Sequence, residues 1–288
     1  MDKLNSNPSI PPDACDCHVH VFLPDRFPYA ADRRYTPPAA TIDALLELRK
    51  RLGTGRSVLV QPSCYGADNS AMCAALAALG TDAARGIAAV DASSVTDETL
   101  HRLHDAGVRG LRLNLRVQSA DAGGLDRIIR QCHQSADRIR SLGWHLQLHL
   151  DAALLTRLMP TLKALDIAVV LDHFGGGADA MDLVSDLLLG GNTWIKLSAP
   201  YRVSAQPDHA DLARVIRRYQ TLAPERLLWA SDWPHTGGNG LRHADIHDIE
   251  PFRQEDALQT LARLASWIGS PAQLDAILVD NPAQLYGF

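Results

Sequence analysis

Two histidines separated by one residue, His18 and His20, form the pattern in this chain that most clearly predicts chemistry. Side chains along a β-strand alternate between its faces, so a strand here would place Asp16, His18 and His20 on one face. Two imidazoles on one face can bind a metal ion, or polarise a carbonyl oxygen without one. The same alternation predicts that Cys15 and Cys17 are buried thiols on the opposite face, toward the surrounding helices.

Other residues of the same chemical types follow later apolar runs. Imidazoles and carboxylates suit acid–base chemistry, and guanidinium groups suit the binding of anions. Each residue alone has an ordinary structural explanation, such as a hydrogen-bonded histidine, a surface ion pair or a helix cap. Together with the histidine pair, they predict a functional site. They are Ser63 and Tyr65 after the second run, Arg112 and Arg116 on the fourth, His149 on the fifth, His173 after the sixth, Arg202 after the seventh, and Asp232 and His235 after the eighth.

Short apolar runs alternate eight times with longer amphipathic segments. The predicted strands are 14–21, 57–62, 86–90, 108–115, 144–150, 167–172, 193–198 and 226–231. The predicted helices are 41–52, 69–79, 96–106, 123–141, 152–165, 178–189, 209–222 and 255–268. Within 288 residues, this alternation favours an α/β fold of one domain, a (β/α)8 TIM barrel, whose strand ends meet at one mouth. Residues 1–12 form an N-terminal extension, and 233–254 is predicted to be an active-site loop.

Composition excludes several functional classes. The net charge is −5, with no basic run, which argues against a nucleic-acid partner. No apolar stretch is long enough for a membrane span, and no export signal is visible at the N-terminus. Five scattered cysteines are typical of reduced thiols, so we expect a cytoplasmic protein. The sequence leaves the oligomeric state undetermined.

Six short motifs carry a family resemblance. They are DCHVH at 16–20, QPS at 61–63, GLRLN at 110–114, DHFG at 172–175, KLS at 196–198 and SDWPH at 231–235. In this order they resemble the amidohydrolase superfamily, in its amidohydrolase 2 branch, over residues 13–288. The resemblance is to lactone hydrolases and isomerases that act on pyrone dicarboxylates, sulfomuconolactones and sugar lactones. It implies a hydrolase that opens a small anionic lactone.

Two positions depart from the pyrone-dicarboxylate pattern. Gly176 stands where that pattern has an arginine, and His149 stands where it has a tyrosine. One carboxylate clamp is therefore expected to be missing. A muconolactone or an aldarolactone fits the sequence at least as well as the pyrone dicarboxylate.

The resemblance also implies roles for the site residues. We expect His18 and His20 to polarise the lactone carbonyl, Asp232 to accept a proton from water, and His173 to orient substrate or hold the oxyanion. The predicted substrate-binding residues are Arg112, Arg116, His149, Arg202, Ser63, Tyr65 and His235.

The metal content is left open by the sequence. The fourth strand carries Arg112 and Asn114 where a two-metal site needs a bridging lysine or glutamate, so two ions are not expected. We expect either no cofactor or one divalent ion, zinc or manganese. Its predicted ligands are His18, His20, His149, His173 and Asp232.

Three other functions are compatible with these residues. The same constellation could move an acyl group between hydroxyls, as a lactone isomerase, or serve a metal-dependent decarboxylase of the same superfamily. A barrel that binds a ligand without chemistry is the third alternative, and the presence of the histidines and Asp232 argues against it.

Overall fold

The computed structural model describes residues 9–117, 122–237 and 245–288. Eight parallel strands form one sheet in the order of the sequence. They are β1 Cys15–Val19, β2 Arg56–Val60, β3 Ala84–Ala88, β4 Val108–Asn114, β5 His145–His149, β6 Val169–Leu171, β7 Thr193–Leu197 and β8 Leu227–Trp229. A helix follows each strand, which confirms the predicted (β/α)8 barrel.

The barrel closes between β1 and the segment that follows β8. Val19 pairs with Trp233 in a parallel bridge. The backbone N–H of Asp232 donates to the carbonyl of His18 at 3.0 Å, and that of His20 donates to Trp233 at 2.8 Å. Closure of the barrel therefore brings Asp232 beside the histidine pair through backbone hydrogen bonds.

The eight helices between and after the strands lie close to their predicted positions. They are α1 Ile42–Leu52, α2 Ser70–Leu79, α3 Asp97–Asp105, α4 Ala122–Ile139, α5 Ala152–Ala164, α6 Met181–Leu189, α7 Leu212–Leu222 and α8 Ala257–Ile268. The Thr41 side chain caps α1 and the Thr96 side chain caps α3, each by accepting a backbone N–H. None of the helices in the described ranges combines the length and the apolar content needed to cross a bilayer.

Two further helices, α9 Pro271–Asp275 and α10 Asn281–Tyr286, were not predicted. Each begins with proline at its first or second position, where its missing N–H costs nothing. The α10 segment brings Tyr286 against His145 at the start of β5, with ring centroids 5.4 Å apart. The Arg85 guanidinium lies 4.6 Å from the ring of Phe288. The C-terminal residues therefore cover the end of the barrel that lies opposite the C-terminal ends of the strands.

The cysteines of β1 do not face the helices, so that prediction is wrong. Cys15 and Cys17 are fully buried and pack with Val58 and Val60 and with Tyr286 in the barrel interior. The pairing of β1 with β2 shifts register between Asp16 and Val19. A bulge of this kind breaks the alternation of side chains and redirects them, which simple period-two reasoning cannot foresee.

Two of the predicted segments lie only partly within the residues that the structure describes. Residues 1–8 of the N-terminal extension and 238–244 of the predicted active-site loop are not described. The described part of that loop contacts the loop after β1. The backbone N–H of Glu250 donates to the carbonyl of Thr36 at 2.8 Å, and the rings of Phe22 and Phe252 lie 5.8 Å apart.

Candidate active site

A cavity of about 890 Å³ opens at the C-terminal ends of the strands. Its wall carries imidazole, guanidinium, phenol and carboxylate groups, whereas the rest of the barrel interior is mostly apolar. Polar residues at this end of a barrel mark the site in characterised enzymes of this fold. The polar lining includes His20, Tyr35, Ser63, Arg112, Arg116, His149, His173, Tyr201, Arg202, Asp232 and Arg253.

His20 lines this cavity and His18 lies buried beside it, with their Nε2 atoms 3.2 Å apart. His20 Nδ1 lies 2.7 Å from the carbonyl oxygen of Val60, which can only accept, so this nitrogen carries the proton. His18 Nδ1 lies 3.3 Å from a carboxylate oxygen of Asp172. His20 Nε2 consequently presents a lone pair, and His18 Nε2 is placed to donate a hydrogen bond to it.

Burial keeps these imidazoles neutral. It lowers the pKa of His18 to about 3 and that of His20 to about 4, against an ordinary value of 6.5. The neutral imidazole of His20, with its proton on Nδ1, acts as an acceptor, or as a metal ligand, at Nε2.

The two oxygens of Asp232 have different surroundings. Oδ2 accepts hydrogen bonds from the Tyr201 hydroxyl and from Arg202 Nε, each at 2.8 Å. Oδ1 lies 3.6 Å from His18 Nε2, 3.8 Å from His20 Nε2 and 4.0 Å from His173 Nε2. Oδ1 is therefore the oxygen that is directed at the imidazole cluster.

The Asp232 carboxyl is held in its ionised form. Burial by itself raises its pKa, but the charge of Arg202 above all, together with the three polar imidazoles nearby, outweighs burial and holds the pKa well below its usual range. Its backbone has a positive φ of 65°, and His173 has one of 51°. Left-handed backbone at non-glycine residues is strained and concentrates at functional sites, as it does here.

His173 and His149 form the next part of the wall. His173 Nδ1 lies 2.9 Å from the Ser198 hydroxyl, and burial lowers the pKa of His173 to about 3. The Asp232 carboxylate beside its Nε2 favours a proton on that nitrogen. The His149 ring packs edge-on against His173 with centroids 4.7 Å apart, and its pKa is also lowered by burial.

The predicted arginines occupy different depths. Arg112 is buried, with Nε 3.6 Å from Asp172 Oδ2, whereas Arg116 is half-exposed at the rim and lies 3.8 Å from Asp151. Arg202 uses its Nε for Asp232, and its Nη2 donates to the Thr236 carbonyl at 2.8 Å. Arg202 is thus engaged with the chain itself on the side facing Asp232.

Two predicted substrate-binding residues are not among the described residues that line the cavity. The hydroxyl of Tyr65 accepts the backbone N–H of Leu23 at 2.8 Å, and its ring packs against Tyr29. His235 lies behind the wall, with Nδ1 3.5 Å from the Tyr201 hydroxyl. A contact of either with substrate is not supported, because the turn after β2 and the left-handed backbone of His235 direct these side chains elsewhere.

Three residues at or beneath the site were not assigned a role from the sequence. Tyr35 lines the cavity from the loop after β1, Tyr201 bonds Asp232, and Asp172 contacts His18. The long loop and the DH and PYR segments were visible as features of the sequence. Which of their side chains point inward could not be read from spacing, because these segments lie outside regular strands.

Three donors fit one divalent metal ion. Zinc–nitrogen bonds of about 2.0–2.1 Å in tetrahedral geometry place two ligand nitrogens roughly 3.3 Å apart. The two Nε2 atoms are 3.2 Å apart, and Asp232 Oδ1 lies within 3.8 Å of both. The described residues that could bind a metal form two overlapping groups: His18, His20 and Asp232, and His18, Asp172 and His173. His149 belongs to neither group.

Curated proteins similar to this chain include hydrolases and an isomerase of lactones. The chain is 36% identical to a 2-pyrone-4,6-dicarboxylate hydrolase of Comamonas testosteroni, covering 98% of this chain and 94% of that protein. It is 31% identical to a 4-sulfomuconolactone hydrolase of Hydrogenophaga intermedia, covering 96% and 90%. It is 27% identical to a D-galactarolactone isomerase of Agrobacterium fabrum, covering 97% and 93%.

A solved structure and a family model also match nearly the whole of this chain. The crystal structure of a probable 2-pyrone-4,6-dicarboxylic acid hydrolase from Acinetobacter baumannii, with citric acid bound, superimposes with a TM-score of 0.80 at 27% identity, covering 96% of this chain and all of that one. The family model for amidohydrolases matches residues 15–288, nearly the whole chain. This chain therefore belongs to the amidohydrolase family.

Proposed function

We propose that this chain is a hydrolase that opens a small anionic lactone. The observation that carries the proposal is the position of Asp232 Oδ1, within 4.0 Å of the Nε2 atoms of His18, His20 and His173 in a cavity lined by arginines. Two of the relatives above are named as lactone hydrolases, and a third as a lactone isomerase. All three names describe acyl chemistry on a lactone.

The cavity suits an anion of modest size. Its lining includes the guanidinium groups of Arg34, Arg112, Arg116, Arg202 and Arg253, although the whole chain carries a net charge of −5. Arginine binds carboxylate and sulfonate groups through paired N–H donors. The lining also carries the carboxylates of Asp151, Asp179, Asp232 and Glu250, so its excess of positive charge is one, on a chain whose net charge is negative.

Water activation falls to Asp232 in this proposal. A water beside Oδ1 donates one proton to that oxygen and can donate the other to the lone pair of His20 Nε2. As the water oxygen attacks the lactone carbonyl carbon, Asp232 takes the proton. The low pKa of Asp232 keeps this base ionised at neutral pH.

The two histidines have different roles in this proposal. The Nδ1 proton of His20 leaves its Nε2 without one, so His20 acts as an acceptor toward water or as a ligand. His18 Nε2 lies 3.2 Å from that acceptor and 3.6 Å from Asp232 Oδ1, and a proton there can be donated to either. The Nε2 proton of His173 is the group suited to stabilising the oxyanion of the tetrahedral intermediate.

Collapse of the intermediate breaks the bond between the acyl carbon and the ring oxygen. Asp232 returns its proton to that oxygen, which becomes the hydroxyl of the open-chain product. The new carboxylic acid ionises in water, so one lactone and one water give one hydroxy acid anion and one proton.

A zinc or manganese ion held by His18, His20 and Asp232 would polarise the carbonyl and lower the pKa of a bound water. We propose this ion because the three donor atoms have the spacing that it requires.

A panel of lactones in heavy-oxygen water tests the proposal. Purified protein is incubated with 4-sulfomuconolactone, muconolactone, 2-pyrone-4,6-dicarboxylate and galactarolactone, and with an uncharged lactone as the control. We expect proton release and one heavy oxygen in the acid product of at least one anionic lactone, and much slower reaction of the uncharged one. The absence of turnover across the panel, or faster turnover of the uncharged lactone, would contradict the proposal.

Lactone isomerisation is the second candidate, favoured by the similarity to a galactarolactone isomerase. In that reaction a substrate hydroxyl takes the place of water, and Asp232 removes its proton. The same panel separates the two reactions, since an isomerised lactone contains no heavy oxygen from the solvent.

A further inference from the structure

Glu250 is a buried carboxylate in the wall of the cavity, and the chemistry proposed above gives it no role. Only 7% of the residue is exposed, and it lines the cavity from the loop after β8. Among residues 9–117, 122–237 and 245–288, no group forms a hydrogen bond or an ion pair with its carboxylate. Burying a charge without a partner costs stability, so the position of Glu250 is not explained by folding alone.

The backbone directs this side chain inward. Ile249 forms a parallel bridge with Thr36, and the N–H of Glu250 donates to the Thr36 carbonyl at 2.8 Å. Successive side chains of extended backbone point to opposite sides, and Ile249 is 62% exposed. The bridge therefore exposes an isoleucine and buries a glutamate, which is the reverse of hydrophobic partitioning. Such a reversal is expected where a residue serves binding rather than stability.

The arginines that line the cavity leave this carboxylate uncompensated. Arg34 is exposed, and among the described residues it forms no ion pair with Glu250. Each of the other four lies within 3.8 Å of a different carboxylate. These pairs are Arg112 with Asp172, Arg116 with Asp151, Arg202 with Asp232 and Arg253 with Glu255. Glu250 therefore presents an unused acceptor to whatever the cavity binds.

We propose that Glu250 is a specificity-determining residue that accepts hydrogen bonds from substrate hydroxyls and repels a second anionic group. Resting on the proposed function, this role narrows the substrate to a lactone with one anionic group and with hydroxyls. A carboxylate can only accept, so the ligand group against it must be a donor. A second carboxylate or a sulfonate there would place like charges together away from bulk water. The lining has one more positive than negative charge, which suits a single anionic group and disfavours an ammonium group.

The anionic lactones of the panel separate the two effects. Galactarolactone has one carboxylate and several hydroxyls, whereas muconolactone has one carboxylate and no hydroxyl. The pyrone dicarboxylate and 4-sulfomuconolactone each have two anionic groups. We expect the wild type to have its highest kcat/KM with galactarolactone, and a higher kcat/KM with either dianionic lactone would overturn the proposal.

Two variants separate charge from hydrogen bonding. E250Q keeps an acceptor oxygen without the charge, and E250M keeps much of the length without an acceptor. Both should lower KM for the dianionic lactones about 10- to 100-fold, because the like charge is gone. E250M should raise KM for galactarolactone about 10- to 100-fold, E250Q should raise it less, and muconolactone should change little in either. Equal changes for all four lactones would overturn the proposal, since a merely structural role affects every substrate alike.

The matched control is D179N, which removes another carboxylate from the lining. Asp179 is exposed, so solvent and salt screen its charge, and KM for the dianionic lactones should change by less than about threefold. An equal effect in D179N and E250Q would show that total charge sets the preference, and would overturn the role of Glu250.

Urea unfolding shows whether the Glu250 carboxylate has a structural role. Because it has no partner among the described residues, the urea midpoints of E250Q and E250M should equal or exceed that of the wild type. A lower midpoint in both variants would indicate a stabilising contact and would contradict the proposal.

Calorimetric titration with open-chain acids requires no turnover. The probes are three six-carbon acids: galactonate with one carboxylate and hydroxyls, hexanoate with one carboxylate, and adipate with two. Wild type should bind galactonate most tightly, E250M should lose that preference, and E250Q should gain affinity for adipate. These results without hydrolysis of any lactone would count against the proposed function alone. Lactone hydrolysis with the same preferences in wild type, E250Q and E250M would count against the role of Glu250 alone.

Discussion

Replacing Arg202 with methionine removes the charge that lies closest to Asp232. Arg202 Nε donates to Asp232 Oδ2 at 2.8 Å, and the carboxylate side chain is only 2% exposed. Methionine keeps much of the apolar stem but none of the donors. The carboxylate would be left with the Tyr201 hydroxyl as its remaining hydrogen-bond donor on Oδ2.

The size of the expected loss in stability follows from the burial of the pair formed by Arg202 and Asp232. Removing one partner of a buried ion pair costs about 3–5 kcal/mol, because the other charge is left uncompensated. Arg202 is 22% exposed and Tyr201 remains, so we expect the free energy of unfolding to fall by about 2–3 kcal/mol at pH 7.

The pH dependence of this loss has a definite sign. Arg202 is the strongest of the charges that hold the pKa of Asp232 below its ordinary value. A depressed carboxyl pKa stabilises the folded state above the unfolded pKa of about 3.9, and that stabilisation is lost as pH falls through the folded pKa. The difference between wild type and R202M should therefore be full between pH 5 and 7 and shrink below about pH 4.

Urea unfolding at several pH values measures the difference in free energy of unfolding between wild type and R202M. The control is K163M, which breaks the half-exposed pair of Lys163 with Asp186 at 2.5 Å and should cost less than about 1 kcal/mol. A loss in R202M no larger than in K163M, or a difference that grows as pH falls, would refute the reasoning.

Three further predictions concern the cations, the buried histidines and the metal. R112M should raise KM for an anionic lactone about 10- to 100-fold with a smaller change in kcat, since one charge-assisted contact is lost; an unchanged KM in initial-rate assays would exclude Arg112 from substrate binding. Burial lowers the pKa of His145 to about 3, so the unfolded chain takes up a proton that the folded chain does not, and stability falls as pH drops below about 6.5. H145Q should remove about 1.4 kcal/mol per pH unit of this slope near pH 5, and equal slopes in urea titrations would count against it. After equilibration with zinc and removal of free ion, elemental analysis should find one zinc per chain in wild type and none in H18Q; equal contents would place any metal elsewhere.

The sequence predicted the fold because the spacing of apolar residues and the length of each segment distinguish the strands of the barrel from its helices. Eight alternations of short apolar and longer amphipathic segments gave the order of all eight strand–helix units. The helices α9 and α10 were missed because each is too short to show a repeated apolar face. The cysteines of β1 were assigned to the wrong face because a bulge between Asp16 and Val19 changes the register.

The sequence predicted which residues belong to the site better than it predicted the contacts that those residues make. His18, His20, His173 and Asp232 converge because they end strands that meet at one mouth. Tyr65 and His235 do not line the cavity, since local turns control where they point. The contacts of Asp172 with His18 and of Tyr201 with Asp232 join distant segments, and only the folded chain brings them together.

Asp232 removes the proton from the attacking water in the proposed mechanism. The most direct test is turnover of the best lactone of the panel by D232N, with folding checked by circular dichroism. The variant keeps an oxygen for Tyr201 and Arg202 but lacks the basic carboxylate. We expect kcat to fall by about 10³-fold or more while the lactone still binds. A kcat within tenfold of wild type would contradict it.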